Sequence, residues 1–104
     1  MKIQFSLFLM LIVFSTGNTQ SLADASYWFE KYEYSKSAEL YNACNQIKPL
    51  SRENMKRVAY SYYTIGNYSK SKEYLDSITK WQDIDPFFHY MHGEVNYALM
   101  NFDE

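Results

Sequence analysis

Residues 34–41 have the sequence YSKSAELY and residues 68–75 have the sequence YSKSKEYL, so one pattern occurs twice with an offset of thirty-four residues. The match extends upstream, because Ala25 recurs as Ala59. Self-similarity at a fixed period of this length is typical of repeat proteins, in which each supersecondary unit stacks on the next. The chain therefore contains two near-complete units and the start of a third.

The apolar residues of each unit have helical spacing. In the second unit they lie on both sides of the turn dipeptide Gly66-Asn67, and they are Ala59, Tyr62, Tyr63, Tyr68, Leu75 and Ile78. Two amphipathic helices joined by a tight turn form an antiparallel hairpin. Asp85 and Pro86 suit an N-cap and a first helical position, and Pro49 marks the end of the first hairpin. We predict an all-α chain with helices near residues 22–32, 34–47, 52–64, 68–80 and 86–99.

A hairpin pattern with a period of thirty-four residues resembles the tetratricopeptide repeat, which has small residues where its helices cross. The small residues here are Ala25, Ser37, Ala59, Ser71 and Gly93. Tyr32 and Glu33 stand in place of the family's Gly-Asn turn, and Asp83 stands in place of the closing proline that Pro49 matches. The resemblance covers about residues 18–104. It implies a helical-hairpin solenoid with units at 18–51 and 52–85 and a partial unit at 86–104.

The first residues have the pattern of a secretory signal peptide. Lys2 precedes eight consecutive apolar residues from Leu7 to Phe14, and Ser15-Thr16-Gly17 follows them. A membrane-spanning helix needs about 20 apolar residues. A retained transmembrane anchor is therefore the weaker alternative. We predict a signal peptide at residues 1–17, cleavage after Gly17 or Thr19, and no membrane span in the mature chain.

Charge and cysteine content exclude several classes of partner and anchor. Removal of Lys2 with the signal peptide leaves nine basic and twelve acidic residues, a net charge of −3, which disfavours nucleic acid as a partner. Cys44 is the only cysteine, so the chain forms no internal disulfide. It also lies too far along the chain for lipid attachment directly after the apolar run.

The chain has no sequence motif of a catalytic site. It contains no glycine-rich phosphate loop, no Ser-His-Asp order and no paired-carboxylate pattern. His89, His92 and Glu94 form the one cluster that suggests a metal, but zinc sites need three or four convergent ligands at other spacings. We expect no enzyme activity, no cofactor and no metal. The alternative is an enzyme or metal protein centred on His89 and His92.

First-helix positions line the concave face of a tetratricopeptide stack, and the resemblance implies a partner-binding groove there. In register they are Leu22, Ser26 and Phe29, then Lys56, Tyr60 and Tyr63, then Tyr90, Glu94 and Tyr97. Phe29, Tyr63 and Tyr97 recur every thirty-four residues and are called the aromatic row below. Aromatic side chains suit a groove for a peptide or a partner helix. The alternative is that the row packs between adjacent helices and contacts no ligand.

The first unit is similar to the N-terminal regions of OmpA-family envelope proteins of Bacteroidetes, through Leu22-Ala23-Asp24, Trp28-Phe29 and Ala38-Glu39-Leu40-Tyr41. Those proteins have tetratricopeptide repeats ahead of a β-propeller and a peptidoglycan-binding domain. The resemblance implies a periplasmic or outer-membrane-associated scaffold that binds a protein or peptide. The alternative role is a spacer that positions a downstream peptidoglycan-binding domain. Because the third unit stops before its second helix, we expect an N-terminal piece of a longer protein.

Overall fold

The computed structural model describes residues 21–103, with side chains as far as Met100. These residues form helices and no strands, which confirms the predicted all-α class for this part of the chain. The helices are α1 over residues 21–30, α2 Tyr34–Ile47, α3 Arg52–Thr64, α4 Tyr68–Ile78 and α5 Pro86–Asp103. The predicted signal peptide at residues 1–17 lies outside the described residues.

The helix bounds follow the sequence prediction closely except at three C-terminal ends. α2 and α3 have the predicted bounds, and α1 and α4 each end two residues earlier than expected. The predicted end of α5 at residue 99 is wrong, because this helix continues to Asp103. Met100 stands where the second unit has Gly66, and a methionine does not favour the left-handed turn conformation that would end the helix.

Side-chain caps start three of the helices. Ser51 Oγ accepts the backbone N–H of Asn54 at 3.2 Å at the start of α3, and Asn67 Oδ1 accepts that of Lys70 at 3.2 Å at the start of α4. At the start of α5, the Asp85 carboxylate accepts the N–H of Phe87 at 2.9 Å, which confirms the predicted N-cap. Each bond satisfies a backbone donor that has no partner inside the helix.

The two hairpins share one turn geometry although their turn residues differ. Tyr32 has a φ of 63° and Gly66, thirty-four residues later, has a φ of 84°. The next residue in each turn donates its backbone N–H to a helix carbonyl at 2.9 Å, Glu33 to Trp28 and Asn67 to Tyr62. A left-handed conformation costs a residue with a side chain roughly 1–2 kcal/mol, whereas glycine adopts it without that cost. The first turn is therefore strained where the second is relaxed.

The helix crossing inside each hairpin has the same hydrogen bond. Ser37 Oγ donates to the carbonyl oxygen of Ala25 at 2.8 Å, and Ser71 Oγ donates to that of Ala59 at 2.9 Å. All four residues are fully buried. Because their side chains are small, the two helices of each hairpin lie close enough for a hydroxyl to bond the opposing backbone. The sequence repeat is thus also a structural repeat.

One hydrophobic core runs through the stack. Its buried apolar residues are Ala25, Ala38, Tyr41, Val58, Ala59, Tyr62, Tyr74, Leu75, Ile78, Met91 and Val95. From α2 onward each helix packs chiefly on its neighbours in sequence. α5 packs on α4 and contributes Met91 and Val95 to this core, while Tyr90 and Tyr97 on the same helix stay exposed. Between residues 21 and 103, no helix combines the length and apolar character needed to cross a bilayer.

Candidate functional site

An open groove of about 540 Å³ lies along α5 where this helix meets the α3–α4 hairpin. We call it the α5 groove. Its lining residues are Tyr63, Tyr68, His89, Tyr90, Gly93, Glu94, Tyr97 and Ala98. Four of the nine first-helix positions predicted for a partner-binding groove line it together, and they are Tyr63, Tyr90, Glu94 and Tyr97. The other five lie outside it: Leu22, Ser26, Phe29, Lys56 and Tyr60.

The three members of the aromatic row differ in burial along the stack. Phe29 is half-buried and packs edge-on against Tyr34, with ring centroids 5.5 Å apart. Tyr63 is also half-buried and packs against Tyr68, with centroids 6.0 Å apart. Tyr97 is 67% exposed. The row is therefore packing surface at its first member and accessible surface at its last.

Tyr60 belongs to an aromatic cluster that joins four helices, α1, α2, α3 and α5. Its ring lies 5.5 Å from that of Tyr34, 6.3 Å from that of Phe29 and 6.4 Å from that of Phe87. Burial and the neighbouring Tyr60 raise the pKa of Tyr34 above its ordinary value. Edge-to-face contacts of this kind stabilise the packing of helices on one another. The geometry at Phe29 and Tyr60 fits the packing alternative better than the ligand alternative.

Basic side chains of α3 flank this cluster. The Arg57 guanidinium lies 4.9 Å from the centre of the Phe29 ring, donates to Ser26 Oγ at 3.0 Å and pairs with Glu30 at 3.5 Å. Lys56, a predicted site residue, pairs with Glu53 at 3.0 Å one turn earlier on the same helix. Both cations thus already have acidic partners within the described chain.

Tyr63 and Glu94 join α3 to α5 at the floor of the α5 groove. The Tyr63 hydroxyl donates a hydrogen bond to the Glu94 carboxylate. This bond, assisted by burial, raises the pKa of Tyr63 to about 12, so the phenol stays protonated and keeps donating at neutral pH. The bond fixes the Glu94 carboxylate at the edge of the groove, where its side chain is exposed.

Four residues of the α5 groove were not among the predicted site residues: Tyr68, His89, Gly93 and Ala98. The sequence marked Gly93 only as a small residue for a helix crossing. It is exposed here because no second helix covers α5 among the described residues. The signal in the sequence was its position thirty-four residues after Ala59. A helix-crossing residue that no second helix covers lies on the surface.

The two histidines that suggested a metal, His89 and His92, have different surroundings. His92 Nε2 on α5 bonds Asp76 Oδ1 on α4 at 2.8 Å, which ties the two helices together, and Lys72 Nζ, also on α4, bonds the same carboxylate at 3.0 Å. These two bonds hold the pKa of Asp76 below its ordinary value of 3.8. His89 is exposed in the α5 groove. Within the described residues, no three His, Cys, Asp or Glu side chains are grouped so that they could hold a metal ion.

Cys44 lies in the core at the position that Ile78 occupies in the second unit. It is buried, and this burial raises the pKa of its thiol. A buried thiol with a raised pKa is a poor nucleophile, because the thiolate is the reactive form. Comparison of the chain with known protein families, with characterised proteins and with solved structures finds no match.

Proposed function

We propose that this chain is a non-catalytic protein-interaction scaffold built from tetratricopeptide-like hairpins, and that it binds a protein or peptide through the α5 groove. The observation that carries the proposal is the grouping of Tyr63, Tyr90, Glu94 and Tyr97 around one open groove. Tyr90 is 62% exposed and Tyr97 is 67% exposed. Exposed aromatic side chains that rim a concave surface are typical anchors for a partner.

The cellular setting of the proposal comes from the sequence. The signal-peptide pattern at residues 1–17 favours an exported protein, and the resemblance to OmpA-family proteins favours the periplasm or the outer membrane. In this hypothesis the chain is the N-terminal tetratricopeptide module of a larger envelope protein. Mass spectrometry of the exported product tests the setting, because an intact Met1 would contradict processing.

A spacer role is the second candidate, and one observation favours it. Phe29, Tyr34 and Tyr60 pack on one another and leave little free aromatic surface at the start of the predicted groove. A stack that used its aromatic residues only for its own packing would position a neighbouring domain and bind nothing. The two candidates therefore differ in whether the exposed end of the aromatic row has a ligand.

Selection from a random peptide library displayed on phage separates them. Peptides selected on the purified chain should lose at least about tenfold in affinity for Tyr97→Ala, because a central aromatic anchor typically contributes about 2 kcal/mol or more. Tyr97 is the better test position than Tyr63, since Tyr63 also packs against Tyr68 and its loss would disturb the fold. Circular dichroism of Tyr97→Ala should match that of the wild type.

Tyr27→Ala is the matched control. Tyr27 is 54% exposed on α1 and does not line the α5 groove. Selected peptides should bind this variant as they bind the wild type. A library that yields no ligand, or ligands that bind all three proteins equally, would favour the spacer over the scaffold.

A further inference from the structure

A second pocket, of about 170 Å³, lies between α2 and α4, the second helices of the two complete hairpins. We call it the α2–α4 pocket. All of its walls are present between residues 42 and 77, in the middle of the described chain. Its lining residues are Asn42, Asn45, Gln46, Met55, Lys70, Glu73, Tyr74 and Ser77.

Three carboxamides form the α2 wall. Asn42, Asn45 and Gln46 lie at i, i+3 and i+4 and therefore share one face of the helix. Asn42 Oδ1 accepts the Tyr74 hydroxyl at 2.7 Å, and Asn45 Oδ1 accepts the backbone N–H of Leu50 at 3.2 Å. Burial raises the pKa of Tyr74 to about 12, so this phenol stays protonated at neutral pH. Because their carbonyl oxygens are engaged, Asn42 and Asn45 chiefly offer NH2 donors to a ligand.

The α4 wall combines a balanced ion pair with a hydroxyl. Lys70 Nζ lies 3.3 Å from Glu73 Oε2, and these are the two charged residues that line the pocket. The lysine donates hydrogen bonds, the carboxylate accepts them, and the exposed Ser77 hydroxyl can do both. The pocket therefore presents donors and acceptors together without a net charge.

Two further side chains add apolar surface to these polar groups. Met55 on α3 is partly buried against the hydrophobic core. Tyr74 is 6% exposed, and its ring stacks on that of Tyr62 with centroids 6.3 Å apart. The stacking and the hydrogen bond to Asn42 hold this ring in one position. A ligand in the pocket thus meets fixed apolar surface as well as hydrogen-bonding groups.

These properties restrict the class of ligand. Because Lys70 and Glu73 already neutralise each other, neither a simple anion nor a simple cation finds an uncompensated charge. A volume of about 170 Å³ is below the roughly 300–1,000 Å³ of sites for drug-sized ligands, so the pocket has room for about one ring. A sugar ring is uncharged, its hydroxyls both donate and accept, and its C–H groups contact apolar surface.

We propose that the α2–α4 pocket binds one uncharged sugar unit. The sugar hydroxyls bond the carboxamides of α2 and the Lys70–Glu73 pair, and the C–H groups contact Met55 and Tyr74. A free monosaccharide and a single unit of a glycan share this chemistry. The site is separate from the α5 groove and does not rest on the proposed scaffold function.

NMR titration of the purified chain tests the proposal, because carboxamide NH2 groups give their own signals in a nitrogen–proton correlation spectrum. The probes are glucose, galactose, mannose and N-acetylglucosamine. At least one should shift the side-chain signals of Asn42, Asn45 and Gln46 saturably, with a Kd in roughly the millimolar range expected for so small a ligand. The side-chain signals of Asn54 and Asn67, which do not line the pocket, should stay unchanged.

Two substitutions at exposed positions show whether the sugar binds in the pocket. Ser77→Leu should lower its affinity at least about tenfold, because the larger side chain fills space that the sugar needs. Gln46→Ala should lower it about threefold or more, because one hydrogen-bonding group is lost. Gln82→Ala is the matched control, since this glutamine is also exposed but lies outside the pocket, and it should bind as the wild type does. Circular dichroism of all three variants should match that of the wild type.

Three outcomes overturn the inference. They are no saturable shift with any of the four sugars, binding that Ser77→Leu leaves unchanged, and tighter binding of glucosamine or glucuronate than of glucose, which would mean that the site selects charge. A tetrasaccharide of the sugar that binds distinguishes the two sources. Affinity at least about tenfold above that of the monosaccharide would identify a glycan, and equal affinity would identify the free sugar.

Discussion

α3 and α5 are equivalent helices of successive units, yet they end in different surroundings. α3 packs against α2 and α4, and its crossing residue Ala59 is fully buried. α5 packs against α4 through Met91 and Val95, and its crossing residue Gly93 is exposed. The same helical pattern thus produces a core element in one unit and a surface in the next.

The difference shows that its neighbours decide whether a first helix is core or surface. In a stacked array each unit buries its apolar face against its neighbour, so most of the stabilisation lies at interfaces between units. Among residues 21–103, no helix lies on α5 in the position that α4 takes on α3, so this interface is not filled there. Substitutions at paired positions of α3 and α5 test whether the two helices are equivalent.

The largest effect is expected from leucine at the two crossing positions. Ala59→Leu should destabilise the fold by about 1–3 kcal/mol, because the added side chain is forced against α4 and disturbs the Ser71 hydrogen bond. Gly93→Leu should stabilise it by up to about 1 kcal/mol, because leucine favours helix over glycine and meets no neighbouring atom. Urea unfolding of both variants measures the two changes. Comparable destabilisation by Gly93→Leu would mean that the α5 face is packed in solution.

An intermediate effect is expected at the turns that follow α1 and α3. Gly66→Ala should lower the free energy of unfolding by about 1–2 kcal/mol, because residues with a side chain rarely adopt the φ of 84° that Gly66 has. The cost is conformational, since a Cβ atom at this position would meet no neighbouring atom within 4 Å. Tyr32→Gly should gain about 0.5–1 kcal/mol by relieving the same strain, because this tyrosine is 78% exposed and loses little packing. Thermal unfolding should therefore move in opposite directions for the two variants. Changes of the same sign would contradict the shared turn geometry.

The smallest effect concerns the covered side of α5. His92 and Lys72 lower the pKa of Asp76 below 3.8 in the folded chain, so the contact stabilises the fold above that pH and loses its contribution as the pH falls through the lowered pKa. The Asp76 side chain is 46% exposed, so we expect less than about 1 kcal/mol. Asp76→Asn should reduce the loss of stability on acidification, measured by urea unfolding between about pH 5 and pH 2. If the free energy of unfolding falls equally with pH in both proteins, the Asp76 contact does not stabilise the fold.

Much of the fold was predictable because one sequence pattern occurs twice, so each unit supports the interpretation of the other. The offset between residues 34–41 and 68–75 aligned Ala25 with Ala59 and Ser37 with Ser71, and these four residues form the two equivalent crossings. The predicted end of α5 at residue 99 was wrong. The two earlier units have turns at Tyr32 and Gly66, which predicts a turn at Met100, but α5 continues through this residue.

The candidate site was predictable only in part. The thirty-four-residue register identified the equivalent first-helix positions and assigned the same role to each of them. Whether such a side chain is exposed depends instead on the helices that pack around it. Phe29 and Tyr60 pack with Tyr34 because α2 covers them, whereas Tyr97 stays open because no helix in the described part of the chain does. Tyr68 was not predicted as a groove residue, because its place beside Tyr63 depends on the turn between α3 and α4.

Amide hydrogen exchange in the two equivalent helices tests the central claim most directly. If α5 lacks the cover that α3 has, amides of residues 87–99 should exchange at least about tenfold faster than those of residues 53–65, with the difference greatest around Gly93 and Tyr97. Equal protection of α3 and α5 in the chain alone would contradict the account, because it would show that α5 is as fully packed as the helix it repeats.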